Sequence, residues 1–355
     1  MPSDTGAFRV DRGVPRDPWR DLTDPRRARD VDDLEEGLKD PAFENLEIPE
    51  YLGKATLLVD DHKVKRYAFA VDDYHPWAFG PSPFGHRIGQ AGLLTNDIVQ
   101  LFTLKYAASK TVGLHTEEQL WFDGPIFVDS HVTIEGTYVE SYVKRGLGYV
   151  VMEAAVTNPA GETLIRHRGI EVLRTVPGDV VGRGNAQFQE GERRISADYD
   201  TALPFVVKAG AGLHLGSPLA PLRRTLTQEQ ASVFSRCGEY VRNAHNDLEI
   251  SRQGGMRIPI VQGQQQLCVV LTLMTRLFGK QWYESGWIKT KFINPLEVFV
   301  PVTVGGVVTQ TEQDSDGSWV GVDVWVQRDD GVLTTVGTAR CRVDVAQMAV
   351  VTVAP

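Results

Sequence analysis

The chain has 355 residues, 42% hydrophobic and 23% charged, enough for a sizeable core and for two domains or one domain built from two similar halves. A formal net charge of −9 argues against nucleic acid as the main partner, since phosphate binding relies on basic surface. Cys237, Cys268 and Cys341 form no CxxC pair, the start carries no apolar stretch of signal type, and no run of ~18 apolar residues occurs, so a cytoplasmic chain with no membrane span is expected.

Residues 1–47 are dense in Arg, Asp, Glu and Pro, and are expected to form a solvated arm, partly helical, lying over the body. A first folded half is expected over 48–174. Within it, a short helical pattern through Tyr67-Ala-Phe-Ala-Val71 ends in the polar turn Asp72-Asp73-Tyr-His75-Pro76. Gly92–Phe102 has apolar residues at helical spacing and few charges, which predicts a largely buried helix. Four strand-like runs follow, Glu117–Phe122, His131–Glu140, Tyr149–Thr157 and Thr163–Leu173, with Asn158-Pro-Ala-Gly161 as the turn between the last two. Residues 175–220, broken by Pro177-Gly178, Gly182, Gly184 and Gly210-Ala-Gly212, read as a crossing segment.

The remainder, 221–347, repeats the first half. A shift of 170 places Phe122 on Phe292, Val132-Thr133 on Val302-Thr303, Tyr149-Val150 on Trp319-Val320, and the turn glycine Gly161 on Gly331, without a gap. A register held through several strands is a strong sign of duplication, because a slip of one residue would turn every inward side chain outward. Each half is therefore expected to be one buried helix followed by antiparallel strands that wrap it.

The second half also carries the candidate site. Tyr240-Val-Arg242-Asn243-Ala-His245 places a histidine in a segment rich in hydrogen-bonding groups. Pro259-Ile-Val-Gln262-Gly263 follows, and Gly263 opens the apolar helical run 264–278. This segment resembles the signature of the MaoC-like dehydratases and (R)-specific enoyl-thioester hydratases, roughly Asp-x-Asn-Pro-x-His and then, after a gap, Pro-Ile-x-His-Gly. His245, Pro259, Ile260 and Gly263 match that pattern at the family spacing. Asp73-Tyr-His75-Pro76, Ser82-Pro-Phe-Gly85 and Arg145-Gly-Leu-Gly-Tyr149 resemble the N-terminal half of such proteins. The resemblance spans about residues 48–345. It implies an α+β double hotdog, in which two tandem hotdog folds each wrap an antiparallel sheet around a long central helix.

The chain departs from the family pattern at several positions. Tyr240 stands at the motif aspartate, Arg242 at the asparagine, Asn243 at the proline, and Gln262 at the histidine of the His-Gly pair. A one-residue insertion would bring Glu239 into the aspartate role. In the first half Asp73 fits the motif acid, but His75 replaces asparagine and Ala78 occupies the histidine position.

In the family, aspartate and histidine share one water that adds across an enoyl thioester or leaves a 3-hydroxyacyl thioester. Amides at the helix start stabilise the thioester oxygen. Because the thioester itself acidifies the α-proton, the resemblance implies no metal or redox cofactor. It assigns acid/base work to His245, with Glu239 or Tyr240 as partner, and substrate contacts to Arg242, Asn243, Gln262 and the Gly263 amide. Asp73 and His75 form a second candidate pair, the alternative being a degenerate half that shapes the acyl tunnel. The implied substrate is an acyl thioester of coenzyme A or of a carrier protein. The altered motif leaves room for a specialised dehydratase, isomerase or cyclase. A thioesterase, with Asp97 or Glu117 as the acid, is the rival reaction, and a silent acyl-binding or hetero-oligomer subunit the rival class. Pairing of hotdog sheet edges makes a homodimer reasonable. His86, His115, His131 and His167 fall in or beside strands and loops with no partner at ligand spacing, so no metal site is expected.

Overall fold

The computed structural model describes residues 35–111, 113–173, 184–187, 193–211, 213–235, 241–314, 317–343 and 350–354. The first half opens with β1 (Glu50–Val59), a strand the sequence reading did not separate from its surroundings. Helix α1 (Asp61–Val71) begins where the Asp60 side chain accepts from the Lys63 N–H at 2.7 Å, and stops at Asp72, whose left-handed φ of 56° aspartate tolerates. That reversal delivers Asp73 to the interior. His75 then caps α2 (Pro76–Phe79), with proline in the first turn, where its missing N–H costs no helical bond.

The helix expected over Gly92–Phe102 is shorter than its apolar spacing implied. Only α3 (Thr95–Val99) is α-helical, and it tightens into a 3-10 turn over Gln100–Leu104. Thr95 and Thr103 donate their hydroxyls to the carbonyls three residues back, Gly92 and Gln100, which favours tight turns over a continuous helix. Gly92 is also pressed against the second half: a Cβ there would lie 2.3 Å from Tyr67 Oη and 2.8 Å from Cys268 Sγ. The spacing still identified the buried face, since Leu94, Ile98, Leu101 and Phe102 are all in the core.

Strands β2 (Leu114–Phe122), β3 (Ser130–Lys144), β4 (Leu147–Thr157) and β5 (Thr163–Val172) follow. The crossing segment is not wholly irregular. It contains β6 (Phe205–Lys208), which pairs with the last strand, and its Leu219 N–H bonds the Gly306 carbonyl. The second half contributes β7 (Leu222–Arg224), α4 (Gln228–Phe234) with a Thr227/Gln230 capping box, α5 (Leu248–Gln253) and β8 (Ile260–Val261). Next come the central α6 (Gly263–Phe278), α7 (Lys280–Ser285), β9 (Trp287–Phe292) and β10 (Leu296–Glu297). The chain closes with β11 (Val302–Asp314), β12 (Gly317–Arg328), β13 (Leu333–Val343) and β14 (Val351–Val353).

Ten strands join one sheet in the order β1-β3-β4-β5-β2-β9-β13-β12-β11-β7. Its two wings match in detail. The β3/β4 ladder shifts register between Tyr138 and Glu140, and the β11/β12 ladder between Val308 and Gln310, again 170 residues on. The turn glycines Gly161 and Gly331 share φ values of 83° and 86°. The wings meet where β2 pairs antiparallel with β9, Glu118 opposite Thr290 and Leu120 opposite Ile288.

Helix α6 is the axis of the core. It is buried from Gln264 to Phe278 except at Arg276, and from Leu267 on it is apolar on nearly every side, as a helix enclosed by the core must be. Leu267, Leu271 and Leu277 are at most 1% exposed, and each contributes roughly 1.5–3 kcal/mol of burial, a large share of a domain's net stability. Residues 35–47 lie over the first half, with Phe43 packed against Gly148, while 1–34 fall outside the described residues. Among the described residues no helix is long and apolar enough to cross a membrane.

Candidate active site at the start of the central helix

The loop 241–247 is built by its own side chains. Asn243 Oδ1 accepts from the His245 N–H at 2.9 Å and from Ser235 Oγ at 3.0 Å, and the Asn246 side chain accepts from the Asn243 N–H at 2.8 Å. The Ile260 N–H closes the loop onto the Ala244 carbonyl. Half-buried His245 therefore sits beside β8, and its Nδ1 donates to the Ile260 carbonyl at 2.8 Å. That bond fixes the tautomer and leaves Nε2 as an acceptor with no protein partner among the described residues. Burial lowers the ring's pKa below the usual histidine value, against a smaller opposing effect of the Ile260 bond. At neutral pH His245 is thus a neutral base.

Two residues past Ile260, Gln262 precedes α6 without capping it through its side chain. The N–H groups of Gly263, Gln264 and Gln265 have no acceptor within their helix, and they form its positive end. Only glycine fits at 263, because a Cβ there would fall 2.8 Å from the Phe292 ring. A basic nitrogen and a cluster of free amides thus flank one helix start.

The other candidates are dispersed around this site. Glu239 and Tyr240 lie outside the described residues. Exposed Arg242 is engaged by Asp247 at 2.7 Å and Glu249 at 3.2 Å. Asn243 spends its side chain on the loop, as above. Of the thioesterase candidates, Asp97 pairs with Lys63 at 2.7 Å and Glu117 with Lys289 at 2.9 Å.

The first-half set forms a separate site. Asp73, 6% exposed, accepts from the Thr272 hydroxyl at 3.0 Å and from the His75 N–H at 3.2 Å. Burial raises its pKa, and those hydrogen bonds offset only part of the rise. The His75 ring faces its own helix start, where Nδ1 accepts from the Trp77 N–H at 3.4 Å, and burial lowers its pKa. No hydrogen bond joins the Asp73 carboxyl to the His75 ring.

A shared bond relates the two sites. The Ile88 N–H donates to the Trp77 carbonyl as the Ile260 N–H does to that of Ala244, so Ala78 is the counterpart of His245. Thr272, which holds Asp73, is ten residues along α6 from Gln262, about 15 Å at helical rise. Asp73 therefore meets α6 well along its length, whereas His245 bonds the strand that precedes it.

A buried ionic cluster was not legible in the sequence. His115 Nε2 lies 2.8 Å from Glu118 Oε2, His115 Nδ1 lies 3.2 Å from Glu171, and His167 Nε2 lies 2.9 Å from Glu118 Oε1. Burial alone would depress the pKa of His115, but Glu118 and Glu171 outweigh it and carry the value to about 10. Burial would raise Glu118, yet His167 and His115 hold it near 2. His115 and Glu118 would face opposite sides of a regular strand, but the register shift between His115 and Glu117 brings them together. The cluster borders the α6 start, where His115 stacks edge-on against Phe292 and lies 3.4 Å from the Gln264 amide.

No family model matches the chain, and no curated protein matches its sequence. Solved structures do match in fold. A MaoC-like dehydratase superposes with a TM-score of 0.66 at 17% identity, covering 85% of this chain and 100% of its own. A MaoC-like dehydratase from Phytophthora capsici gives 0.60 at 13% identity, covering 83% and 96%. A Mycobacterium tuberculosis protein described as a double hotdog gives 0.60 at 14% identity, covering 85% and 97%. The chain has the double hotdog fold.

Proposed function

We propose that this double hotdog chain is a hydro-lyase of the MaoC-like type, acting on an enoyl or 3-hydroxyacyl thioester of coenzyme A or a carrier protein. The observation that carries the reading is the neutral His245, its Nε2 unengaged among the described residues, beside the uncapped amides of α6. In the hydration direction, His245 Nε2 takes a proton from water as its oxygen bonds the β-carbon. Electron density moves from the double bond onto the thioester oxygen, which the amides of Gly263 and its neighbours stabilise. A proton returned to the α-carbon completes the addition, and dehydration runs the same steps in reverse. Glu239 is the proposed carboxylate partner, with Tyr240 as the alternative. Gln262 is the proposed substrate contact, and the Arg242 ion pairs brace the loop. A specialised dehydratase, isomerase or cyclase would use the same base and amides.

Hydration is read from the loss of enoyl-thioester absorbance, with short and branched or long acyl-CoA substrates, on wild type and His245→Ala. The expected result is activity in wild type that the substitution removes while the fold is kept. Equal activity in both would overturn the assignment of His245.

One observation favours a second reading, a non-catalytic acyl-binding subunit: among the described residues, the acid and the histidine of the pair lie in different halves. Thiol release from acyl-CoA would instead favour a thioesterase, although both of its candidate acids are held in ion pairs.

A further inference from the structure

Gly263 and Gln264, whose amides head α6, lean on two side chains. The Phe292 ring fills the space that a Cβ on Gly263 would need, 2.8 Å away, and the Gln264 side chain is itself buried in a residue only 2% exposed. Both side chains end on His115, a residue of the first half. Its ring meets Phe292 edge-on with centroids 5.4 Å apart, and its Nε2 lies 3.4 Å from the Gln264 amide. His115 in turn has oxygens beside both of its nitrogens. Nε2 is 2.8 Å from Glu118 Oε2 and 3.0 Å from the Glu117 carbonyl, and Nδ1 is 3.2 Å from Glu171 Oε1. A ring so placed carries both protons, because each nitrogen faces an acceptor. Nε2 is then a donor, and the Gln264 amide matches it by turning its oxygen inwards. His167, 2.9 Å from the other oxygen of Glu118, fixes that carboxylate from the far side. The neighbouring Glu117 carboxylate is turned to Lys289 and Lys291 of β9.

We infer that His115 is a positioning residue for the amides at the start of α6. This assignment rests on the hydro-lyase reading and deepens it: the first half braces the oxyanion end of the second-half site across the β2/β9 seam. Oxyanion donors act by being fixed before the reaction, and a displacement of about 1 Å can cost ~10²-fold in rate. The brace acts on turnover rather than on ground-state affinity, because charge on the thioester oxygen develops in the transition state.

The test compares crotonyl-CoA hydration and amide hydrogen exchange in wild type, His115→Phe and His115→Gln, each as the full chain. Phenylalanine keeps the contact with Phe292 but has no donor, whereas glutamine keeps a donor near the Nε2 position. His115→Phe is expected to lower kcat ~10–100-fold with KM within about 2-fold, and His115→Gln to recover most of that loss. The Gln266 N–H, whose bond to the Gln262 carbonyl closes the first turn, is expected to exchange at least ~10-fold faster in His115→Phe, with Leu271 in the middle of α6 unchanged. Unchanged kcat, a loss confined to KM, or equal acceleration at Leu271 would overturn the assignment. If His115→Phe does not fold, Gln264→Leu carries both measurements under the same criteria. Should wild type hydrate nothing, selective opening at Gln266 leaves the brace standing and defeats the hydro-lyase reading alone, and no selective opening defeats both.

Discussion

The two halves of this chain share strand registers, bulges and turn glycines, but their candidate residues differ. The second half keeps a sixteen-residue central helix and a histidine on a loop that folds back on its start. The first half keeps a five-residue α-helix and a buried aspartate bonded to the other half's helix. Each holds one of the candidate acid/base residues, in a different environment. His245 is held neutral with a free lone pair, whereas Asp73 is spent on Thr272 and the His75 amide. Sheet geometry is the more constrained feature, because a strand cannot slip without inverting its core face, while a loop residue can change without moving the frame.

The sharpest way to break this comparison is to exchange the active half. His245→Ala is expected to lower kcat/KM for hydration by ~10²–10⁴-fold, the usual worth of a positioned base, while Asp73→Asn leaves it essentially unchanged. The reverse pattern in steady-state kinetics would move the chemistry to the first half. Next in size is the close approach at the α6 start. Gly263→Ala drives a Cβ into the Phe292 ring and is expected to cost ~1–3 kcal/mol in denaturant unfolding. Phe292→Leu should recover part of that loss in a double-mutant cycle, and simple additivity would show that the ring is not the obstacle.

The seam between the halves gives a pH signature. His115 has a folded pKa near 10 against an ordinary 6.5, so its contribution to stability is full below 6.5 and is lost as pH rises towards 10. Glu118 has a folded pKa near 2 against 4.5, so its contribution is present above 4.5 and is lost as pH falls towards 2. Thermal unfolding followed across pH should therefore flatten at both ends in Glu118→Gln, and an unchanged profile would place the linkage elsewhere.

Asp73 should behave in the opposite sense to Glu118. Its raised pKa makes the ionised form a cost at neutral pH, so Asp73→Asn is expected to raise the midpoint of thermal unfolding slightly at pH 7. A large drop would mean that its charge is needed after all. Smallest is Arg242→Ala. Its ion pairs are exposed, with a 62% accessible side chain, and the change should leave the midpoint of chemical denaturation nearly unchanged.

Much of the fold was legible from local rules. Alternation marked the four strands of the first half, the shift of 170 marked their repetition, and a long apolar helical pattern marked α6. The spacing of His245, Pro259, Ile260 and Gly263 marked one loop and the helix start it closes on. The length of the first-half helix was not legible. Gly92–Phe102 carries helical spacing, but two threonine back-bonds and the close approach of Tyr67 and Cys268 to Gly92 act after the pattern is set.

The sequence by itself determined which residues are buried, how the halves repeat and where one histidine meets one helix. Those properties follow from side-chain period and chain-local hydrogen bonding. Only the tertiary structure decided that Asp73 bonds the central helix while His245 bonds the strand before it, and that His115, Glu118 and His167 form one buried cluster. Each depends on contacts between segments far apart in the chain, and on which lone pairs and protons remain once every nearer partner has been taken.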